Sequence, residues 1–147
     1  MKPKDQVTVA FTSRSANEGF ARACAACFAA QLDPTLDELA DIKTAVSEAV
    51  TNAIVHAYPD SLGKIVLRLR LYEGSELEIQ IRDAGVGIPD VEQARAPLST
   101  TGGEERSGMG FTIMESFMDT LKVRSQPGRG TIVTMRKRLA RRAGGPS

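Results

Sequence analysis

The period of the apolar positions changes several times along the chain, and each change marks an element. VTVAF, residues 7–11, alternates and predicts a short strand. Ser15 with Glu18 three residues on has the form of a capping box and predicts a helix to about Gln31. In it Phe20, Cys24, Cys27 and Phe28 recur at helical spacing, which predicts one buried stripe. Asp33 before Pro34, or Thr35 with Glu38, can cap a second, longer helix whose pattern runs to about Ala57, where YPDS ends it.

KIVLRLRLY then sets Ile65, Leu67, Leu69 and Leu71 on one face and Val66, Arg68, Arg70 and Tyr72 on the other. After a turn at Glu73 and Gly74, ELEIQIRD repeats the alternation with Leu77, Ile79 and Ile81 inward, so the pair reads as an antiparallel hairpin. Residues 95–107 have no period and are rich in Gly, Ser and Thr, which predicts a mobile loop. A third helix is expected over Gly110–Asp119, followed by the strands TLKVRSQ and GTIVTMRKR about the turn PGRG. The sum is an α/β fold of the α+β two-layer kind: a mixed, mostly antiparallel sheet with helices on one face.

At 147 residues the chain has the length of one domain, and 41% hydrophobic with 25% charged residues is ordinary for a globular protein. No apolar run is long enough to span a membrane and none follows the basic start, so a cytoplasmic protein is expected. The net charge of +1 is uneven: Arg136, Lys137, Arg138, Arg141 and Arg142 stand together, and without these five the remaining 14 basic residues face 18 acidic ones, or −4. Residues from about 137 to 147 therefore read as a solvated, flexible basic tail. Cys24 and Cys27 form a CxxC, but with no second pair and one distant histidine, His56, they read as buried structural cysteines.

Chemistry concentrates at three places. Glu48 and Asn52 are i and i+4 on the second helix, opposite its apolar stripe; alone, an acid and an amide so placed suit a solvated face. RDAGVGIPD, residues 82–90, places a carboxylate and two glycines at a strand end. It is no dinucleotide fingerprint, since Asp90 stands where GxGxxG needs its third glycine, and no GxxxxGK[ST] run exists. In RSGMGFTIMESFMD, Gly108 and Gly110 come just before a helix, where bare backbone N–H groups suit an anion.

In order these make E-x-x-x-N on a helix, D-x-G-x-G after a strand, a loop ending in G-x-G before a helix, and G-T before the last strand. The series resembles the Bergerat-type ATP-binding fold shared by gyrase B, a class of heat-shock chaperones, the histidine kinases and the MutL-type repair ATPases. Over roughly residues 7–138 it is similar to the small anti-sigma-factor serine kinases, most of all the sporulation branch that targets sigma-F in endospore-forming bacteria. It departs from them in the loop LSTTGGEER and after Arg138.

The resemblance implies ATP or ADP with Mg²⁺ as cofactors. It assigns Asp83 to the adenine amino group, Gly85 and Gly87 to the backbone beneath base and sugar, and Thr131 to a hydroxyl beside Asp83. Because guanine carries a carbonyl where adenine carries the amino group, a carboxylate there selects ATP over GTP. Asn52 would give a neutral oxygen to Mg²⁺, Gly108 and Gly110 would receive the phosphates, and Glu48 would be the general base toward a serine hydroxyl. Arg106 would stabilise charge on the γ-phosphate, with Arg95 as a rival. Arg22 resembles a partner-facing arginine.

The function expected is a switch: an anti-sigma factor that holds a sporulation sigma factor inactive and phosphorylates a serine of an anti-anti-sigma antagonist. A homodimer is expected with its contact near the first strand, and neither direct nucleic-acid binding nor membrane attachment. Three alternatives stand beside it. One is a histidine-kinase module, which needs a phosphoacceptor histidine on a separate helix where only His56 exists; the others are a stress-response anti-sigma kinase and a binding module without turnover.

Overall fold

The computed structural model describes residues 2–95 and 105–139, with the backbone alone over 105–109. The elements run β1 (Asp5–Thr12), α1 (Ala16–Ala29) with one 3-10 turn after it (Ala30–Leu32), α2 (Leu36–Asn52) continued by a π-helical turn (Ala53–Ala57), β2 (Lys64–Tyr72), β3 (Glu76–Asp83), α3 (Val91–Arg95), α4 (Glu105–Phe117), β4 (Thr120–Gln126) and β5 (Gly130–Arg138). The five strands form one sheet in the order β1-β2-β3-β5-β4. Every pairing is antiparallel, which places the expected mixed sheet at its antiparallel limit.

The odd-numbered residues of β2, β3 and β5 supply the core: Ile65, Leu67, Leu69, Leu77, Ile79, Ile81, Val133 and Met135 are buried beneath the helices. From above, α2 contributes Ile42, Ala45, Val46, Ala49 and Val50, and α4 contributes Phe111 and Met114. The other sheet face is polar. Its far end is closed by Arg136, whose guanidinium donates to Glu78 at 2.8 Å and lies 4.9 Å from the Tyr72 ring centroid.

The caps decide the two long helices differently. Thr35 opens α2 with a complete capping box, since Thr35 Oγ1 accepts from Glu38 N at 3.0 Å and Glu38 Oε1 accepts from Thr35 N at 2.9 Å. Asp33, the other option, takes a left-handed turn with φ 51°. Ser15 is no capping box: it has helical φ and ψ and makes no side-chain cap bond. Glu18 is drawn away to α2, where its Oε2 accepts from Ser47 Oγ at 2.5 Å and from Arg22 Nη1 at 3.0 Å.

The buried face of α1 is also not the stripe expected. Ala21, Ala25, Phe28 and Ala29 are inward, while Phe20 is 50% exposed, Cys24 half-buried and Cys27 exposed with a free thiol. Small residues at i, i+4 and i+8 let α1 approach α2 closely, and this contact outweighs burial of one more phenylalanine. The basic tail begins later than expected. Lys137 and Arg138 belong to β5, Lys137 Nζ donates to the Phe117 carbonyl at 2.7 Å, and Leu139 is buried. Arg141 and Arg142 lie outside the described residues, as does most of the expected loop over 95–107. Among the described residues no helix is long and apolar enough to cross a membrane.

Candidate functional site

A cavity of about 360 Å³ opens between the end of α2, the ends of β3 and β5, and residues 87–94. Its apolar walls include Ala49, Ala53, Ile81, Phe111 and Val133, and its polar groups include Asn52, Asp83 and Thr131. An apolar slot with few directed polar groups suits a flat heterocycle carrying hydrogen-bonding edges.

Asp83 ends β3 opposite Thr131 on β5. It is 8% exposed, and its Oδ1 accepts from Gly85 N at 2.9 Å and Thr131 N at 3.2 Å. Burial pushes its carboxyl above the ordinary aspartate value, against the pull of those two N–H groups. Oδ2 is not spent on either contact and remains as an acceptor. The Thr131 hydroxyl is 2.8 Å from Ser125 Oγ, which also accepts from Ile88 N at 2.7 Å. One row of side chains on β4, β5 and β3 thus fixes the loop beyond Asp83.

That loop is held from its other side by Tyr58, whose hydroxyl accepts from Ala84 N at 2.8 Å and donates to the Lys64 carbonyl at 2.8 Å. Gly85 passes directly against the Ala57 carbonyl, leaving no room for a Cβ. Gly87 has φ 81°, a left-handed conformation that favours glycine, and it lines the cavity. Tyr58 and Ser125 are the supports that sequence reasoning missed. Tyr58 sits in the YPDS run read as a helix stop, and nothing local to either residue signals its partner.

Glu48 lies one helical turn before Asn52 on α2, and both meet α4. A Cβ on Gly110 would fall 3.0 Å from Asn52 Nδ2 and 3.3 Å from Glu48 Oε1, so the bare glycine is what lets the two helices close here. Asn52 Nδ2 is buried and has no hydrogen-bond partner among the described residues. A buried amide with unused capacity costs about 1–3 kcal/mol, which is reason to expect a ligand group at that point.

The glycines do not precede the helix as expected. α4 starts at Glu105, so Gly108 and Gly110 lie within it. Glycine costs a helix interior only about 1 kcal/mol relative to alanine, too little to stop a helix that packs well. Arg106 also falls in this first turn, and its side chain lies outside the described residues. Arg95 is committed elsewhere: its Nη2 donates to Glu115 Oε2 at 3.0 Å and to the Leu121 carbonyl at 3.3 Å. Arg22 stands on α1 beside Ser47, on the neighbouring helix to Glu48 and away from the cavity lining.

The model of the histidine kinase-like ATPase domain matches residues 11–137 of this chain. The anti-sigma F factor of Caldanaerobacter subterraneus subsp. tengcongensis is 53% identical over 96% of this chain and 99% of its own length. This chain belongs to the anti-sigma F factor family. The member from Pasteuria penetrans is 55% identical over 92% of each chain. Among solved structures, the RsbU and RsbW domains of a Mycobacterium tuberculosis protein superpose with a TM-score of 0.69 at 20% identity, covering 96% of this chain and 34% of that one, which shows the common fold.

As a member of the anti-sigma F factor family with this ATPase domain, the chain has the fold of an ATP-using kinase. The residues present fit a Mg²⁺ held mainly by phosphate. Asn52 Oδ1 is the one neutral oxygen it would take, while the unpartnered Nδ2, a donor, would meet a phosphate oxygen, and among the described residues no group of three or more His, Cys, Asp or Glu side chains could hold a metal alone.

Proposed function

We propose that this chain binds and inhibits a sporulation sigma factor of the sigma-F type and, as a protein serine kinase, inactivates the anti-anti-sigma protein that opposes it. The observation that carries the reading is the convergence on one cavity of a recessed carboxylate, Asp83, and an unpartnered amide, Asn52, with Glu48 one turn away. The site can bind adenine at one end and hold a carboxylate near phosphate at the other. The names of the relatives supply the sigma factor.

Asp83 Oδ2 accepts the adenine amino group and disfavours guanine, while Gly85 and Gly87 carry the backbone close beneath it. Thr131 supports Asp83 through its backbone N–H and offers its hydroxyl to the same edge. When bound, Mg²⁺ on Asn52 supplies positive charge to the phosphate oxygens. Gly108 and Gly110 leave the α4 backbone free of side chains where the phosphates approach. Glu48 takes the proton from the incoming serine hydroxyl, a contribution of about 10² to 10⁴ in rate, and Arg106 stabilises charge on the transferred group. Arg22 faces the protein partners. The protein works in the cytoplasm as a homodimer joined near β1, which forms one edge of the sheet.

Incubation with γ-labelled Mg·ATP and a candidate anti-anti-sigma protein tests the reading. Label on one serine of that protein, and none on its serine-to-alanine version, is the expected result. Label on His56 of this chain would replace the reading with a histidine kinase.

A further inference from the structure

The open face of the sheet divides into two halves of different electrostatic character. At the β2–β3 turn end the charges are mutually satisfied: Glu78 is within ion-pair distance of Arg68, Arg70 and Arg136, and Glu76 of Arg136 and Arg138. At the Asp83 end, Arg82, Lys122, Arg124 and Arg129 are all exposed, and among the described residues none of them has an acidic partner.

The register makes these cations one surface. Arg82 on β3 and Arg124 on β4 both pair with Ile132 on the intervening β5, so they flank that half-buried isoleucine about 10 Å apart, two strand spacings. Val66 continues the row on β2 beside Arg82. Arg129, from the β4–β5 turn, lines a shallow cleft with Arg82, Arg124 and Ile132. The patch is thus an apolar strip framed by unneutralised cations. Its centre is on the opposite side of the sheet from β1, and its face is not the one covered by helices.

We infer that this face, centred on Ile132 between Arg82 and Arg124, is a docking surface for an acidic, partly apolar segment of a partner protein. The argument is charge complementarity. Guanidinium groups pair with carboxylates in a bidentate fork, and Ile132 and Val66 offer apolar contact between the forks. Nucleic acid fits less well, because the strip carries no aromatic ring on which a base could stack. A second copy in a two-fold contact would set this cationic patch against itself. The surface lies on the other face of the sheet from the helices, its cleft meets the nucleotide pocket only at Asp83 and Thr131, and it is independent of the serine-kinase reading.

The test uses the full chain and a fluorescein-labelled peptide of repeated Asp-Glu-Leu, measured by fluorescence anisotropy at low ionic strength. The double variant Arg82→Glu/Arg124→Glu is compared with Arg14→Glu/Lys43→Glu, an equal change of net charge at exposed positions outside the patch. The neutral pair Arg82→Gln/Arg124→Gln keeps the test valid if the reversal disturbs folding. The expected result is a loss of about tenfold or more in affinity for the reversal at the patch, a smaller loss for the glutamines and little change for the control. Equal losses in patch and control variants would reduce the binding to net charge and overturn the inference. So would an unchanged affinity in the patch variants, or a duplex oligonucleotide bound more tightly than the peptide and lost with the same two arginines.

Discussion

Gly110 of α4 sits so close to Asn52 of α2 that a methyl group at position 110 would lie 3.0 Å from the Asn52 amide nitrogen. The contact couples the helix that bears the acid and amide to the helix expected to receive phosphate. Gly110→Ala is expected to leave the melting temperature little changed, because alanine's helix preference of about 1 kcal/mol over glycine is offset by the crowding of its methyl group against Asn52 and Glu48. Phosphotransfer is expected to fall at least about tenfold as Asn52 and Glu48 are pushed off position. Thermal unfolding and single-turnover transfer, measured on the same preparation, separate the two effects.

Asp83 gives a pH dependence with a definite sign. An amino group binds best to the ionised carboxylate, so nucleotide affinity falls as pH drops through the raised pKa of Asp83, beginning above the ordinary value of 3.8. The unliganded fold behaves oppositely at this residue, since protonation relieves a buried charge. Calorimetric titration with ADP at successively lower pH should show the loss setting in above the ordinary aspartate range, and Asp83→Asn should flatten it. The same variant should lower affinity at neutral pH by about 1.5–3 kcal/mol, the value of a hydrogen bond to a charged group.

Ser47 ties Glu18 and Arg22 of α1 to the turn of α2 that precedes Glu48. Ser47→Ala removes the hydroxyl bond to Glu18 and should cost about 1 kcal/mol in denaturant unfolding. Because the network lies off the cavity lining, ADP affinity should stay unchanged. If Arg22 is partner-facing, binding of the anti-anti-sigma protein should weaken.

Strands and α2 were legible in the sequence because their signals are local. Alternation in KIVLRLRLY and ELEIQIRD fixes which residues enter the core, and Thr35 with Glu38 marks the helix start they in fact form. The misreadings came from contacts distant in the chain. Glu18 looked like a cap to Ser15 but bonds Ser47, 29 residues away. Phe20 looked buried, yet the alanine face of α1 packs inward. Gly108 and Gly110 looked like the approach to a helix start because glycine is weakly helical, whereas α4 begins at Glu105 and the tight space beside Asn52 and Glu48 is what favours glycine at 110.

Within the site, Asp83, Asn52, Gly87 and Thr131 were readable as a set once their order was recognised, and they do line one cavity. Tyr58 and Ser125 were not, because their bonds to Ala84 and Ile88 span 26 and 37 residues. Their role exists only after the sheet has formed.

The central claim is that Glu48 acts on the serine proton and not on nucleotide binding. The measurement is ATP affinity and labelled-phosphate transfer to the anti-anti-sigma protein, wild type against Glu48→Gln. The account predicts near-equal affinity with transfer reduced by about 10² or more, the usual worth of a general base. Undiminished transfer, or loss of ATP binding in step with transfer, would contradict it.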